Sequence, residues 1–184
     1  MQELSLHILD LAQNSIAAGA ALVELTVAED TAADTLTIAI GDNGRGMTSE
    51  QLREVSDPFY TTRTTRKVGL GVPLFKMAAE QAGGRFSIRS QAGKGTRVEG
   101  VFGLSNIDRM PLGDMAGTVS ALIAGSPDRD FLYRRTRDGE GFALDTRELR
   151  KTLGDVPLSN GEVAVWIREY LEENEKALRS AGGE

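Results

Sequence analysis

Apolar and small residues recur at helical spacing from the start of the chain: Leu4, Ile8, Leu11, Ala12 and Ser15 fall on one side of residues 3 to 18, with no Gly or Pro before Gly19. The spacing predicts a helix that stops at that glycine. Two segments of period 2 follow. Val23, Leu25 and Val27 alternate with Glu24 and Thr26, and Leu36, Ile38 and Ile40 alternate with Thr37 and Ala39, which predicts two half-buried strands in a hairpin. From Gly41 to Gly71 the chain is rich in Gly, Thr, Arg and Asp, with one short helical stretch near Ser49 to Val55. So long a stretch with so little structure reads as a lid or binding loop. A second helix is expected from Leu70 to Gln81, ended by Gly83-Gly84. Strands return at Arg85 to Ser90 and Thr96 to Phe102, around the turn Gly93-Lys94-Gly95.

Residues Leu104 to Gly117, with Pro111 and Gly113, read as a connector and a boundary between a first domain, 3–103, and a second region, 105–184. In that second region the pattern predicts a strand at Thr118 to Ala124, a hairpin around Asp138-Gly139, and helices at Thr146 to Leu153 and Glu162 to Leu178. Val163, Ile167, Tyr170 and Leu171 are expected to face a core. The order helix, two strands, long loop, helix, two strands favours a two-layer α/β sandwich over a wound parallel sheet.

Composition narrows the chemistry. The 184 residues include no Cys and one His, which excludes disulfides, thiolate metal centres and a cysteine nucleophile, and confines any Ser-His-Asp triad to one histidine. No apolar run approaches the roughly 20 residues that cross a bilayer, and no signal-peptide pattern opens the chain, so a cytoplasmic location and no membrane partner are expected. The net charge of −6 provides no electrostatic footprint for nucleic acid.

Glu3, His7, Asp10 and Asn14 are spaced four, three and four, one polar stripe on the first helix. Its plain reading is a solvated face. The motif DNGRGM, residues 42 to 47, begins where the second strand ends, and KVGLGVPLF, residues 67 to 75, opens the second helix. Either could be a turn and a helix cap, or a cradle for phosphate. In this order, however, four segments resemble the motifs of the GHKL superfamily, the histidine kinase-like ATPase domains. DLAQNSIAAGA, residues 10 to 20, is similar to its N box and DNGRGM to its first glycine box. DPFYTTRTTRKVGLGVPL, residues 57 to 74, is similar to the aromatic segment and second glycine box, and GKGT, residues 93 to 96, to the third. The resemblance covers residues 3 to 103. It implies a Bergerat-type ATP-binding fold, a mixed sheet covered by helices, followed here by a small α/β extension of unknown role.

The cofactors it implies are ATP and Mg²⁺. Asn14 would hold the metal, its amide oxygen suiting a hard cation. Asp42, an acceptor beyond the end of a strand, would take the exocyclic amine of adenine. Gly44 and Gly46 would let the backbone approach the base, and Thr96 would hold the adenine end. Gly69, Leu70, Gly71 and Val72 would bring backbone amides to the phosphates at a helix start. Phe59 would anchor the lid, and Arg63, Arg66 and Lys67 could meet the γ-phosphate or remain solvated. Asp10 stands where the hydrolysing branches carry a glutamate base. It is shorter by one methylene, about 1.5 Å of reach, which weakens it as a base for water while leaving phosphotransfer open. His7, the one histidine, is expected in a structural role rather than as a phosphoacceptor.

Three functions are compatible with the resemblance. One is a histidine-kinase-like phosphotransferase that acts in trans on a partner protein, because the N box begins almost at Met1, with no acceptor segment ahead of it. The alternative is an ATPase or ATP-gated regulatory module, akin to anti-sigma-factor or mismatch-repair relatives; a domain that senses nucleotide without turnover is a third possibility. The partner is accordingly a phosphoacceptor or a regulated target, with a homodimer left open.

Overall fold

Six strands form one mixed sheet in the computed structural model, which describes residues 3–57 and 70–182. In chain order the elements are α1 (Leu4–Ala17), β1 (Leu22–Asp30), β2 (Thr35–Asp42), α2 (Ser49–Ser56), α3 (Gly71–Gln81), β3 (Arg85–Gln91), β4 (Gly95–Gly103), α4 (Met115–Gly125), β5 (Asp130–Arg137), β6 (Glu140–Asp145), α5 (Thr146–Leu153) and α6 (Gly161–Ala181). The strands lie in the order β3-β4-β2-β1-β5-β6, antiparallel throughout except for the parallel pair β1–β5.

The alternation in β1 and β2 decides which face of the sheet is covered. Val23, Leu25, Val27, Leu36, Ile38 and Ile40 are buried against the helices, whereas Glu24, Thr26 and Thr37 project from the other face. Helices α1, α3, α4 and α6 pack on the sheet or on one another to form the second layer, so the architecture is the expected two-layer α/β sandwich of Bergerat type. Phe75 of α3 fills the middle of the layer boundary, edge-on to Phe102 at 5.6 Å and to Phe86 at 6.3 Å.

Beyond residue 104 the structure is α/β, as expected, with one element of a different kind. Residues 118–124, expected as a strand, lie within helix α4. A short apolar run is compatible with either conformation, and the neighbours decide it. Asp114 accepts a hydrogen bond from the Gly117 amide and so starts a helix, and the buried residues Met115, Ala116, Val119, Leu122 and Ile123 recur at three and four. The hairpin at Asp138-Gly139 forms as expected, with φ of 51° and 85° at its two turn residues. Val163, Ile167 and Leu171 of α6 join the core.

Strands β5 and β6 extend the sheet from the β1 edge, and α4 lies between α1 and α6. The connector has a further task. The first amides of a helix lack intrahelical partners, and those of Leu4 and Ser5 donate to the carbonyls of Pro111 and Leu112 at 2.9 and 2.8 Å. The segment before α4 thereby caps α1. Among the described residues no helix is long and apolar enough to cross a membrane.

Candidate functional site

The polar stripe of α1 faces neighbouring elements rather than solvent. His7 is 2% exposed, and Glu3, Asp10 and Asn14 are half-buried. Asp10 and Asn14 face the first residue of α3: a Cβ at Gly71 would stand 2.5 Å from Asp10 Oδ2 and 3.7 Å from Asn14 Nδ2. A side chain at Gly71 would push the Asp10 carboxylate out of this position. Neither side chain has a hydrogen-bond partner among the described residues, and no side chain caps the start of α3. A carboxylate and an amide whose oxygens accept no hydrogen bond from the described residues thus stand beside the start of α3, which no described side chain caps. The electrostatics of that arrangement suit an anion bridged by a cation. Among the described residues no three His, Asp or Glu side chains cluster as a metal cage. The oxygen atoms of Asp10 and Asn14 are donors of the kind Mg²⁺ accepts, a cation that completes its shell with phosphate oxygens and water.

One residue along α1, the buried Ser15 donates its hydroxyl to Asp42 Oδ2 at 2.6 Å, and the Gly44 amide donates to Asp42 Oδ1 at 2.9 Å. Asp42 is the last residue of β2 and pairs directly with Thr96 of β4. Thr96 Oγ1 lies 2.8 Å from Ser90 Oγ, which also accepts from the Met47 amide at 2.8 Å and lies 3.0 Å from the Gly95 carbonyl. An open concavity of about 470 Å³ at this end of the sheet touches Asp42 and Thr96 and is lined also by Glu24, Arg89 and Arg97, residues of the face turned away from the helices. Asp42 and Thr96 are themselves half-buried.

The loop after Asp42 is clamped from both sides. The Arg45 amide donates to the Ala18 carbonyl at 2.9 Å, and the Arg45 carbonyl accepts from Gly93 at 2.7 Å. At Gly46 φ is 65°, and a side chain would collide with the Gln91 carbonyl, so its small size serves loop packing against the β3–β4 turn. Gly44 abuts Ala18 and turns its amide toward Asp42. Of the segment that opens α3, Leu70 is 63% exposed and Val72 lies in the core. Phe59, Arg63, Arg66, Lys67 and Gly69 lie outside the described residues.

Both ring nitrogens of His7 are buried without a partner among the described residues, and its ring centroid is 6.2 Å from that of Phe75. Burial holds its pKa below 6.5, against the opposing pull of the Asp10 carboxylate. The structure thus gathers Asp10, Asn14 and Gly71 at one place and Asp42, Gly44 and Thr96 at another, both along α1. Ser15 and Ser90, which hold Asp42 and Thr96, escaped the sequence reading. The available signal was a hydroxyl at position 15 on an otherwise apolar stripe, where a buried polar group needs a partner.

Residues 2–106 match the protein-family model described as "Histidine kinase-, DNA gyrase B-, and HSP90-like ATPase". A stretch of 82 residues is 32% identical to sporulation kinase C of Bacillus subtilis, covering 45% of this chain and 19% of that kinase. Another of 79 residues is 39% identical to the sensor protein SrrB of Staphylococcus aureus, covering 40% of this chain and 13% of that protein. The chain thus spans less than a fifth of the length of these relatives. The fold is similar to the N-terminal domain of a DNA repair protein, with a TM-score of 0.52 and 13% identity, covering 79% of this chain and 52% of that one.

Proposed function

Because the chain belongs to the histidine kinase-, DNA gyrase B- and HSP90-like ATPase family, we propose that it binds Mg-ATP along α1 and passes the γ-phosphoryl group to a partner protein. The observation that carries this reading is the double use of one helix: Ser15 meets Asp42 on one side of α1, while Asp10 and Asn14 meet Gly71 on another. An extended nucleoside triphosphate needs two such places, an acceptor for the amine of its base and free amides for its phosphates. Asp42 takes the amine, with Thr96, Gly44 and Gly46 around the base. Gly71 opens the helix whose amides face the phosphates, and Leu70 and Val72 set that turn. Asn14 holds Mg²⁺, which when bound neutralises phosphate charge.

The similarity to a sporulation kinase and a sensor protein supports phosphotransfer. His7 is buried inside α1, so an acceptor histidine lies elsewhere than at that position. A second reading, an ATPase or ATP-gated module, is favoured by Asp10, a carboxylate beside Gly71 without a hydrogen-bond partner among the described residues that could serve as base for an attacking water. Incubating the full chain with Mg and γ-labelled ATP, alone and with candidate acceptor proteins, separates the two. A labelled acceptor supports phosphotransfer; free phosphate without one moves the assignment to hydrolysis; bound ATP with neither product leaves the gated module. By calorimetry, Asp42→Asn is expected to lose about 10-fold or more in ATP affinity, the scale of a charged hydrogen bond, and Asp10→Asn to stay near wild type. Equal ATP affinity in both variants rejects the site.

A further inference from the structure

We infer that Ser15 is a positioning residue for nucleotide selection: by holding the Asp42 carboxylate in one orientation it makes this edge of the site accept a 6-amino purine and refuse a 6-oxo purine. The inference rests on the reading of Asp42 given above and deepens it.

Ser15 is 4% exposed, and its hydroxyl carries a single proton. Two acceptors lie within range, Asp42 Oδ2 at 2.6 Å and the Leu11 carbonyl at 3.5 Å. The shorter separation is that of a charge-assisted hydrogen bond, and the longer stands at the limit of any bond. The proton is therefore committed to Asp42. The second carboxylate oxygen accepts from the Gly44 amide at 2.9 Å. With one donor on each oxygen, the carboxylate cannot turn about its own axis without breaking a bond. Each oxygen keeps acceptor capacity, and neither the ionised Asp42 nor the committed Ser15 has a proton left to offer. An exocyclic amine satisfies such an edge. A carbonyl at the same place meets only acceptors and leaves both groups unpaired, which is the larger penalty. Ser15 also adjoins Asn14, so the group that fixes the base-reading carboxylate is covalently next to the group assigned to the metal.

The test compares Mg-ATP and Mg-GTP affinities by competition titration of the full chain in wild type, Ser15→Ala, Ser15→Thr and Asp42→Asn. Ser15→Ala is expected to weaken ATP about 10-fold and to narrow the ATP-to-GTP ratio by a similar factor while still unfolding cooperatively at a somewhat lower melting temperature, and Ser15→Thr, which keeps the hydroxyl, restores the ratio. If Ser15→Ala lowers both affinities equally, the hydroxyl is only structural and the inference is overturned. Wild-type affinity and ratio in Ser15→Ala, with ATP binding lost in Asp42→Asn, overturns the inference and leaves the site standing; wild-type binding in Asp42→Asn overturns both. Should Ser15→Ala fail to fold, Ser15→Cys, of near-equal size and a weak donor, is expected to narrow the ratio in the same direction, and an unchanged ratio there counts against the inference.

Discussion

At the residue scale, a buried imidazole without hydrogen-bond partners among the described residues carries a pH signature. His7 titrates below 6.5 in the folded chain because burial disfavours its charged form. Above pH 6.5 it is neutral in both folded and unfolded states and has no effect on the balance. As pH falls from 6.5 toward the folded-state pKa, the unfolded chain binds a proton that the folded chain refuses, and stability is lost at up to about 1.4 kcal/mol per pH unit. Denaturant melts between pH 7.5 and 5.5 are expected to show this loss in wild type and a flatter profile in His7→Leu; parallel profiles would assign the slope to other groups. The same scale shows what a linear sequence reveals. Asp10, Asn14, Asp42 and Thr96 stand out as candidates from the motifs and the resemblance they carry. Ser15 and Ser90 do not, because the first acts on a residue 27 positions away and the second joins a loop 43 positions away. Only the packing of α1 on β2 and the register of β2, β4 and β3 bring those pairs together.

At the element scale, period and punctuation located α1, α3, both N-terminal hairpin strands and α6, since each buries one face at its own repeat. Helix α4 was misread because it is apolar nearly all round and short, so no polar side marks its period. Nor does periodicity reveal what binds α6 to the sheet. Arg135, 1% exposed on β5, pairs with Glu29 of β1 and with Glu175 of α6, and Tyr133 donates its hydroxyl to Glu175 at 2.6 Å. The charges of Arg135, Arg137, Glu29 and Glu175 balance within this cluster, which bridges three elements. Truncating one partner of such a pair leaves a buried charge uncompensated. Glu175→Ala is therefore expected to destabilise the chain by about 3 kcal/mol, at the lower end of the usual cost because Arg135 retains Glu29. Removing the exposed i,i+4 partner Glu172, which pairs with Arg168, should shift the melting temperature little. Equal shifts for the two variants would mean that the buried cluster does not bind α6.

At the scale of the whole molecule, the family match ends at residue 106, whereas the sheet and core do not. The eight residues of β5 pair in parallel with β1 from Leu22 to Glu29, covering an edge that would otherwise expose a long, apolar central strand. Phe131 and Tyr133 enter the same buried cluster as Val23, Leu25 and Ile8, and Met115 and Val119 of α4 lie there with Leu4. Pro111 and Leu112 cap the first turn of α1, the helix that carries Asp10 and Asn14. Residues 107–184 therefore complete the layer in which the site is built rather than hang beside it. Removing them strips one wall from α1, leaves its first amides without acceptors and bares one side of β1. A chain ended after Asn106 is expected to lose cooperative unfolding and dispersed amide resonances, and its ATP binding with them. Adding residues 107–184 back as a separate polypeptide should restore both only to the extent that β5 finds β1. A truncated chain that melts cooperatively and binds ATP as the full one does would show instead that the ATP-binding half folds alone, and the extension would then have to be explained by what it contacts outside this chain.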